Sequence, residues 1–558
     1  MAKTDRPRGC PAQLVKGLSV HDEEWVLHNA VIHTQSPANP RATAVWIRNG
    51  RILETAGDEL KECVPHERRT DAGGRCVLPG LTDAHLHFEW FSLGLQRIDA
   101  DQPTLQHVLD LVSQQARTLA AGSWIRGHGW NHNAWGSGDL PTRQSLDSVA
   151  PDHPVFLTAK SGHASWSNSC ALKLARVGGS TPDPSDGAVV RDGSGHPTGV
   201  LLEGASDLVA SCLPPITVSD VATAMRAGMA KAHGLGITGV HDMDGVRALR
   251  AWQQLRRQGH LQMRVCKTIP LDHLDEAIGC GMSSGFGDDH LWIGGVKIFT
   301  DGALGPQTAW MLSPYENDTA NIGMPLIEPE ALEEAMTKAA TGHLASFVHA
   351  IGDRANRMVL DVMAALRQRE AAESSRPLRH RIEHVQLIDG QDIPRLADLD
   401  VIASMQPIHA TSDKDIVDRF WGPARAPQAY AFRRIAETGA TLAFGSDTPV
   451  ETIAPLPGVH AAVTRRRADG SPGEEGWQPQ EKLSVGQALR GYTTGAARAG
   501  GVEAHLGQLS SGYLADLIVL NQDPYHVDPM EIDGIEVWAT MADGRWVYQH
   551  PQADGFGP

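Results

Sequence analysis

Six side chains in this sequence, scattered between residues 85 and 447, have types and placings suited to holding a divalent cation and moving protons. His85 and His87 form a His-x-His pair at the end of CVLPGLTDAHLH (76–87). Alternate residues of a strand point to the same side, so the pair aims two imidazoles at one point. Lys297 interrupts the apolar run GGVKIFTDG (294–302), and His349 sits in ASFVHAIGD (345–353). His384 lies in RHRIEHVQ (379–386) and Asp447 in TLAFGSDTP (441–449). Neutral imidazole and carboxylate together suit Zn²⁺, with Fe, Mn, Ni and Co as other candidates. One or two ions are expected. A buried ammonium is costly unless paired or modified. Beside two cations, a neutral Lys297 amine could add CO₂ and become an anionic bridging carbamate.

Each residue alone has a plainer reading. His-x-His arises often by chance, and Lys297 could simply pair with Asp301. His349 and His384 could be satisfied core histidines, and Asp447 could cap a helix. The set outweighs its members because all of them fall near strand ends in one consistent order.

Something must bring these distant residues together. Eight segments read as buried strands bounded by turn residues: 76–87, 236–242, 263–270, 294–302, 345–353, 379–386, 401–407 and 441–449. Helical text such as VATAMRAGMAKAHG (221–234) and ANRMVLDVMAALRQREAAE (355–373) separates most of them. Strand and helix in alternation imply parallel pairing. The expected class is therefore α/β, with a closed (β/α)₈ TIM-type barrel over 78–504. In such a barrel the C-terminal ends of the strands converge on one mouth.

Around that barrel, residues 1–22 read as a flexible tail. Residues 23–77 and 505–558 read as short strands that build a β-sandwich domain from both termini. Asn49-Gly50, between two apolar runs, is a hairpin signal. Between the first two barrel strands, residues 95–215 read as an inserted subdomain, expected to cover the catalytic face.

Bulk properties narrow the function classes. The chain has 558 residues, 41% of them hydrophobic, and a net charge of −17. Such a charge repels phosphate backbones and argues against nucleic acid as a partner. No apolar run approaches the ~20 residues of a membrane span. The first ten residues, MAKTDRPRGC, lack the apolar core of a signal peptide. Seven scattered cysteines without a C-x-x-C point to reduced thiols in a cytoplasm.

The ordered text LPGLTDAHLH, GITGVHD, VKIFTDGALG, VHAIGDRANRMVLD, RIEHVQ, GSDTPVETIAPLPGVHAAVTRR and GQLSSGYLADLIVL resembles the amidohydrolase superfamily. Within it, the chain is similar to the branch of N-substituted formamide deformylases and YtcJ-like hydrolases. The likeness runs from about Trp25 to Val547. It implies that His85, His87, Lys297, His349, His384 and Asp447 line a metal centre. It also implies a small-molecule substrate and a homodimer. Two positions depart from the branch's usual text: Asn131 stands where an acid is common, and Ser161 opens what is usually Asp-Gly-His.

The chemistry expected is hydrolysis of an amide, N-formyl or N-acyl C–N bond. Metal-activated water attacks, and Asp447 carries the proton to the leaving nitrogen. Candidate substrate contacts are His128, Trp130, Asn131, His163, Asp301 and Trp421, each of which could instead be plain packing. A deaminase or cyclic-amide hydrolase on the same scaffold is the main rival, and a non-catalytic binding relative is a remote one.

Overall fold

The computed structural model describes residues 24–135, 140–159, 164–185, 187–316, 318–372 and 377–553. The expected tail lies outside them. Eight strands form one parallel sheet in chain order. They are β1 (Leu81–Leu86), β2 (Ile237–Asp242), β3 (Arg264–Pro270), β4 (Leu291–Phe299), β5 (Ala345–Ala350), β6 (Arg381–His384), β7 (Ile402–Met405) and β8 (Leu442–Phe444). Most of their residues are buried, which explains why their text does not alternate. Helices such as Pro329–Thr341 and Asp353–Ala372 return the chain between strands.

The sheet curls into a nearly closed barrel, and side chains and loop backbone complete the seam. Past β8, the Asp447 N–H donates to the His85 carbonyl at 2.8 Å, and the His87 N–H donates to the Thr448 carbonyl at 2.9 Å. Asp83 accepts from the Ser446 hydroxyl at 2.6 Å and from the His85 N–H at 3.0 Å. Gly445 makes this approach feasible. A Cβ there would lie 2.5 Å from the His85 nitrogen and 2.7 Å from Asp83 Oδ1.

The first barrel strand is shorter than the sequence suggests. CVLPGLTDAHLH is two strands, because Cys76–Pro79 belongs to another sheet. The chain crosses between them at Gly80, where a Cβ would collide with Thr238 Oγ1 at 2.2 Å. The second sheet mixes strands from both ends of the described chain. Its order is Arg545–Gln549, Val537–Ala542, Leu517–Leu520, Cys76–Pro79, Val31–His33 and Arg41–Ala42. A further four-stranded sheet uses Arg51–Ala56, Ala44–Arg48, Glu24–His28 and Arg69–Asp71. Asn49 and Gly50 turn its hairpin with φ of 50° and 73°, the left-handed pair that a tight hairpin needs.

Residues Ser92–Ala224 make a separate compact unit. It has its own six-stranded sheet, in which Ile125–Trp130 pairs with Val155–Ala159.

Arg264 of β3 joins the barrel to the terminal sheet. Its guanidinium grips both carboxylate oxygens of Asp516 at 2.9 Å, and both side chains are almost wholly buried. A buried pair holds only while both partners are present. Arg264→Leu should therefore cost about 3–5 kcal/mol in denaturant unfolding. The double variant Arg264→Leu/Asp516→Leu should recover much of that loss. Equal stability of Arg264→Leu and wild type would contradict this role.

Candidate metal centre

All six residues singled out for metal chemistry line one cavity of ≈ 330 Å³ at the barrel mouth. Strand ends deliver them: His85 near the end of β1 and His87 just after it, Lys297 on β4, His349 on β5, His384 at the end of β6, and Asp447 past β8. Asp447 Oδ1 stands 3.5 Å from His85 Nε2 and 3.6 Å from His87 Nε2. Ligand atoms of His85, His384 and Asp447 all lie within 4.8 Å of one another. The His384 ring is 4.7 Å from that of His85 and 4.6 Å from that of His349, centroid to centroid.

Strand pleating alone would not aim these groups. In β6, Glu383 and His384 are neighbours and would normally face opposite ways. His384 has φ 77° and Val385 has φ 44°. That conformation is rare for side chains with a Cβ, and rarest for a β-branched one. It swings His384 into the mouth. Asp447 also takes a positive φ, 58°. Such backbone clusters at functional sites, where the surrounding structure holds it in place.

Neighbouring groups set the tautomers. His85 Nδ1 donates to Glu383 Oε2 at 2.6 Å, and His87 Nδ1 donates to Asp244 Oδ1 at 3.1 Å. His384 Nδ1 donates to Gln406 Oε1 at 2.9 Å. A carboxylate or amide oxygen can only accept, so these three rings keep Nε2 as a lone pair. His349 is reversed: its Nε2 faces the Gly302 carbonyl at 3.0 Å, which leaves Nδ1 free. Burial favours the neutral form of three of the rings. It holds His85 and His384 well below the usual imidazole range and takes His349 to about 3. At His87 burial is outweighed by the Asp244 and Asp447 carboxylates, which raise its pKa. Burial opposes charge on Glu383 too, but Arg381 and Lys297 outweigh it and hold that carboxyl below its ordinary value.

Lys297 is the odd member. Its Nζ is buried and has no hydrogen-bond partner among the described residues. Burial pulls its pKa down to about 8, against attraction to Glu383 and Asp447. Four imidazoles with aimed lone pairs, one carboxylate and an orphaned amine fit a divalent metal centre. A second cluster, His33, Cys76 and Asp523, has similar ligand spacing. There Arg41 Nη1 lies 2.8 Å from His33 Nε2, so a fixed cation already stands among the donors.

The other sequence candidates divide. Asp301 is buried, and its carboxylate accepts the N–H groups of Trp310, Ile351 and Gly352 at 2.9–3.0 Å. It braces the segments after β4 and β5 and does not line the cavity. Trp421 is fully buried in the barrel's hydrophobic core. It does not line the cavity, because its ring fills space between packed helices. Trp130 is likewise buried, in the core of the 92–224 unit, and its indole donates to the Leu157 carbonyl at 2.9 Å. Within that unit His128 is exposed and bonds Thr158 at 2.8 Å, while Asn131 is half-buried. His163 lies outside the described residues.

Sequence reading missed the residues behind the ligands: Glu383, Asp244, Gln406 and Asp83. An acid inside an apolar strand, as in RIEHVQ, was the available signal. His409 was missed too, and nothing in PIHATS distinguishes it. Gln406→Leu removes the acceptor that orients His384. Metal affinity measured by chelator competition should fall ~10–100-fold in that variant. Unchanged affinity would show that the amide orients nothing.

Comparison with known proteins agrees with this geometry. The amidohydrolase family profile matches residues 69–548. The chain is 33% identical to the protein LONG AFTER FAR-RED 3 of Arabidopsis thaliana, over 94% of this chain and 91% of that one. It is 31% identical to the putative amidohydrolase YtcJ of Bacillus subtilis, over 94% and 99%. It is 28% identical to the N-substituted formamide deformylase of Arthrobacter pascens, over 94% and 98%. Among solved structures, an uncharacterized metal-dependent hydrolase from Pyrococcus horikoshii superposes with a TM-score of 0.74 at 28% identity, covering 91% of this chain and 99% of that one. With its barrel, its convergent imidazoles and a match along nearly its whole length, the chain belongs to the amidohydrolase family.

Proposed function

We propose that this chain hydrolyses a non-peptide C–N bond of a small molecule, of amide, N-formyl or N-acyl type. The observation that carries the reading is the meeting of four imidazoles and Asp447 around a Lys297 amine without a hydrogen-bond partner among the described residues. The similarity to an N-substituted formamide deformylase supports the choice of bond.

His85, His87, His349, His384 and Asp447 would hold the metal, with Zn²⁺ preferred by the nitrogen-rich donor set. Bound there, a divalent metal supplies Lewis acidity, polarising a carbonyl and acidifying a water. The rest falls to the chain. Asp447 takes a proton from the attacking water on a carboxylate oxygen and delivers it to the leaving nitrogen, without which an amide nitrogen leaves poorly. Its backbone N–H, which donates to the His85 carbonyl at 2.8 Å, holds it beside the imidazoles, with Oδ1 3.5 Å from His85 Nε2. Lys297, with its pKa lowered by burial to about 8, is neutral in a minor but usable fraction, about a tenth, at pH 7. Its amine can form a C–N bond to CO₂ and release a proton, giving a carbamate that would bridge two ions. No disulfide joins the six described cysteines, which supports a reducing, cytoplasmic setting. Among the described residues, no helix is long and apolar enough to cross a membrane.

A screen of N-formyl, N-acyl, carbamate and cyclic amide substrates on the metal-loaded protein tests the reading. On the best substrate, Asp447→Asn should lower kcat ~10²–10⁴-fold. Full activity in that variant would sink the proposed proton route. Release of ammonia in place of an amine would mark a deaminase. Isotopically labelled CO₂ should enrich a carbamate carbon in the wild type and not in Lys297→Met. Absence of that signal, with one metal per chain, would remove the bridging role.

A further inference from the structure

Beyond the candidate metal ligands, the same cavity is lined by groups of a different character. Asp413 and Glu451 both line it, as do Gln386 and His409. Asp413 is held in position by the Tyr430 hydroxyl, which donates to its Oδ2 at 2.5 Å. Its other oxygen remains available. No Lys or Arg pairs with Asp413 or Glu451 among the described residues, although surface acids throughout the chain find such partners. Among the described residues Lys297 is the one Lys or Arg along the cavity, beside the candidate metal ligands. The two carboxylates share the cavity, close enough for Glu451 to add to burial in raising the Asp413 carboxyl, without a Lys or Arg of their own among the described residues.

Two further groups in this cavity await a ligand. Gln386 and His409 are each only 5% exposed. They touch each other through Gln386 Nε2 and His409 Nδ1, at 3.4 Å. Gln386 Oε1 and His409 Nε2 are left with no hydrogen-bond partner. Buried polar atoms are ordinarily paired, and a cluster of orphans beside a cavity marks a place where something else supplies the partner. Burial takes His409 down to about 4, so its ring adds no positive charge. The cavity thus offers two anions, an amide oxygen and a neutral imidazole to whatever enters. Ile416 and Val450 lie beside them and supply apolar surface for a short methylene stem.

We propose that the substrate carries a fixed cationic group, a primary ammonium or guanidinium, which seats against Asp413 and Glu451 while its amide lies at the metal ligands. This rests on the hydrolase reading above and names the substrate class for the same site. An ammonium offsets the charge of the two carboxylates and gives the Gln386 oxygen a donor, while His409, whose Nδ1 accepts from Gln386, presents Nε2–H to an acceptor such as the substrate's amide oxygen. A neutral group there would leave two half-buried carboxylates without a countercharge and an anionic one would be repelled, which is how such a site rejects the wrong ligand.

A matched pair of probes tests this: N-formyl-1,5-diaminopentane, whose free amine is protonated at neutral pH, and N-formylpentylamine, which lacks that amine. On the metal-loaded wild type the cationic probe should show a kcat/KM at least roughly tenfold higher, chiefly through KM, and the advantage should shrink with added salt. In Asp413→Asn and in Glu451→Gln the ratio between the two probes should fall towards one. Thermal unfolding of each variant checks that it is folded, and the wild-type ratio needs no variant. Equal or better turnover of the neutral probe would overturn the cationic class while leaving the hydrolase reading intact. Should neither probe be turned over, calorimetric binding of both to Asp447→Asn still decides the matter: tighter binding of the cationic probe supports the proposal, and equal binding refutes it. In that case the hydrolase reading stands or falls on the broader substrate screen.

Discussion

The hydrogen bonding of Asp83 across the barrel seam governs the rest of the site. The eight-stranded sheet has β1 and β8 at its two ends, and regular ladder pairing does not join them. Asp83 bridges the gap by holding the Ser446 hydroxyl and backbone on one side and the His85 N–H on the other. Burial raises its carboxyl to about 7, against the pull of those donors. The same bonds that shut the barrel thus place His85 against Asp447. A ligand site built on a seam gains precision from closure, since neither residue can shift without opening the sheet.

Charge is layered beneath that seam. At the mouth burial holds His85, His349 and His384 neutral, the form in which an imidazole can bind a cation, while Asp244 and Asp447 raise His87. Below them, Glu383 is held by a close ion pair with Arg381, whose guanidinium also meets His241 Nδ1 at 2.7 Å and the Ala84 carbonyl at 2.8 Å. Arg381 lies over the Phe347 ring at 3.9 Å. Buried ions are tolerable only when all their polar atoms are engaged, and here nearly every one is. Lys297 breaks the rule. It is a buried ammonium-bearing side chain whose Nζ meets the Phe299 ring and no hydrogen-bond partner among the described residues.

The order of the strands and the ligands was legible in the text. His-x-His after an apolar run, single histidines ending two later strands and an aspartate after Gly-Ser each appear in the structure at the mouth. The aromatic candidates failed because a tryptophan flanked by polar residues reads alike whether it walls a pocket or fills a core. Trp421 and Trp130 do the latter. The boundary of β1 was misjudged because Cys76–Pro79 and Leu81–Leu86 are equally apolar; only their sheet partners differ.

By itself the sequence determined the alternation of strand and helix, the left-handed hairpin at Asn49-Gly50 and the chemical types available to a cation. Those are local properties: side-chain period, turn preference and donor atoms belong to residues close together in the chain. Tertiary structure decided which nitrogen of each imidazole is free, because Glu383, Asp244, Gln406 and the Gly302 carbonyl come from distant segments. It also decided that Asp413, Glu451, Gln386 and His409 share one cavity. Burial and the pairing of charges depend on what the fold brings alongside, and no stretch of residues carries that information alone.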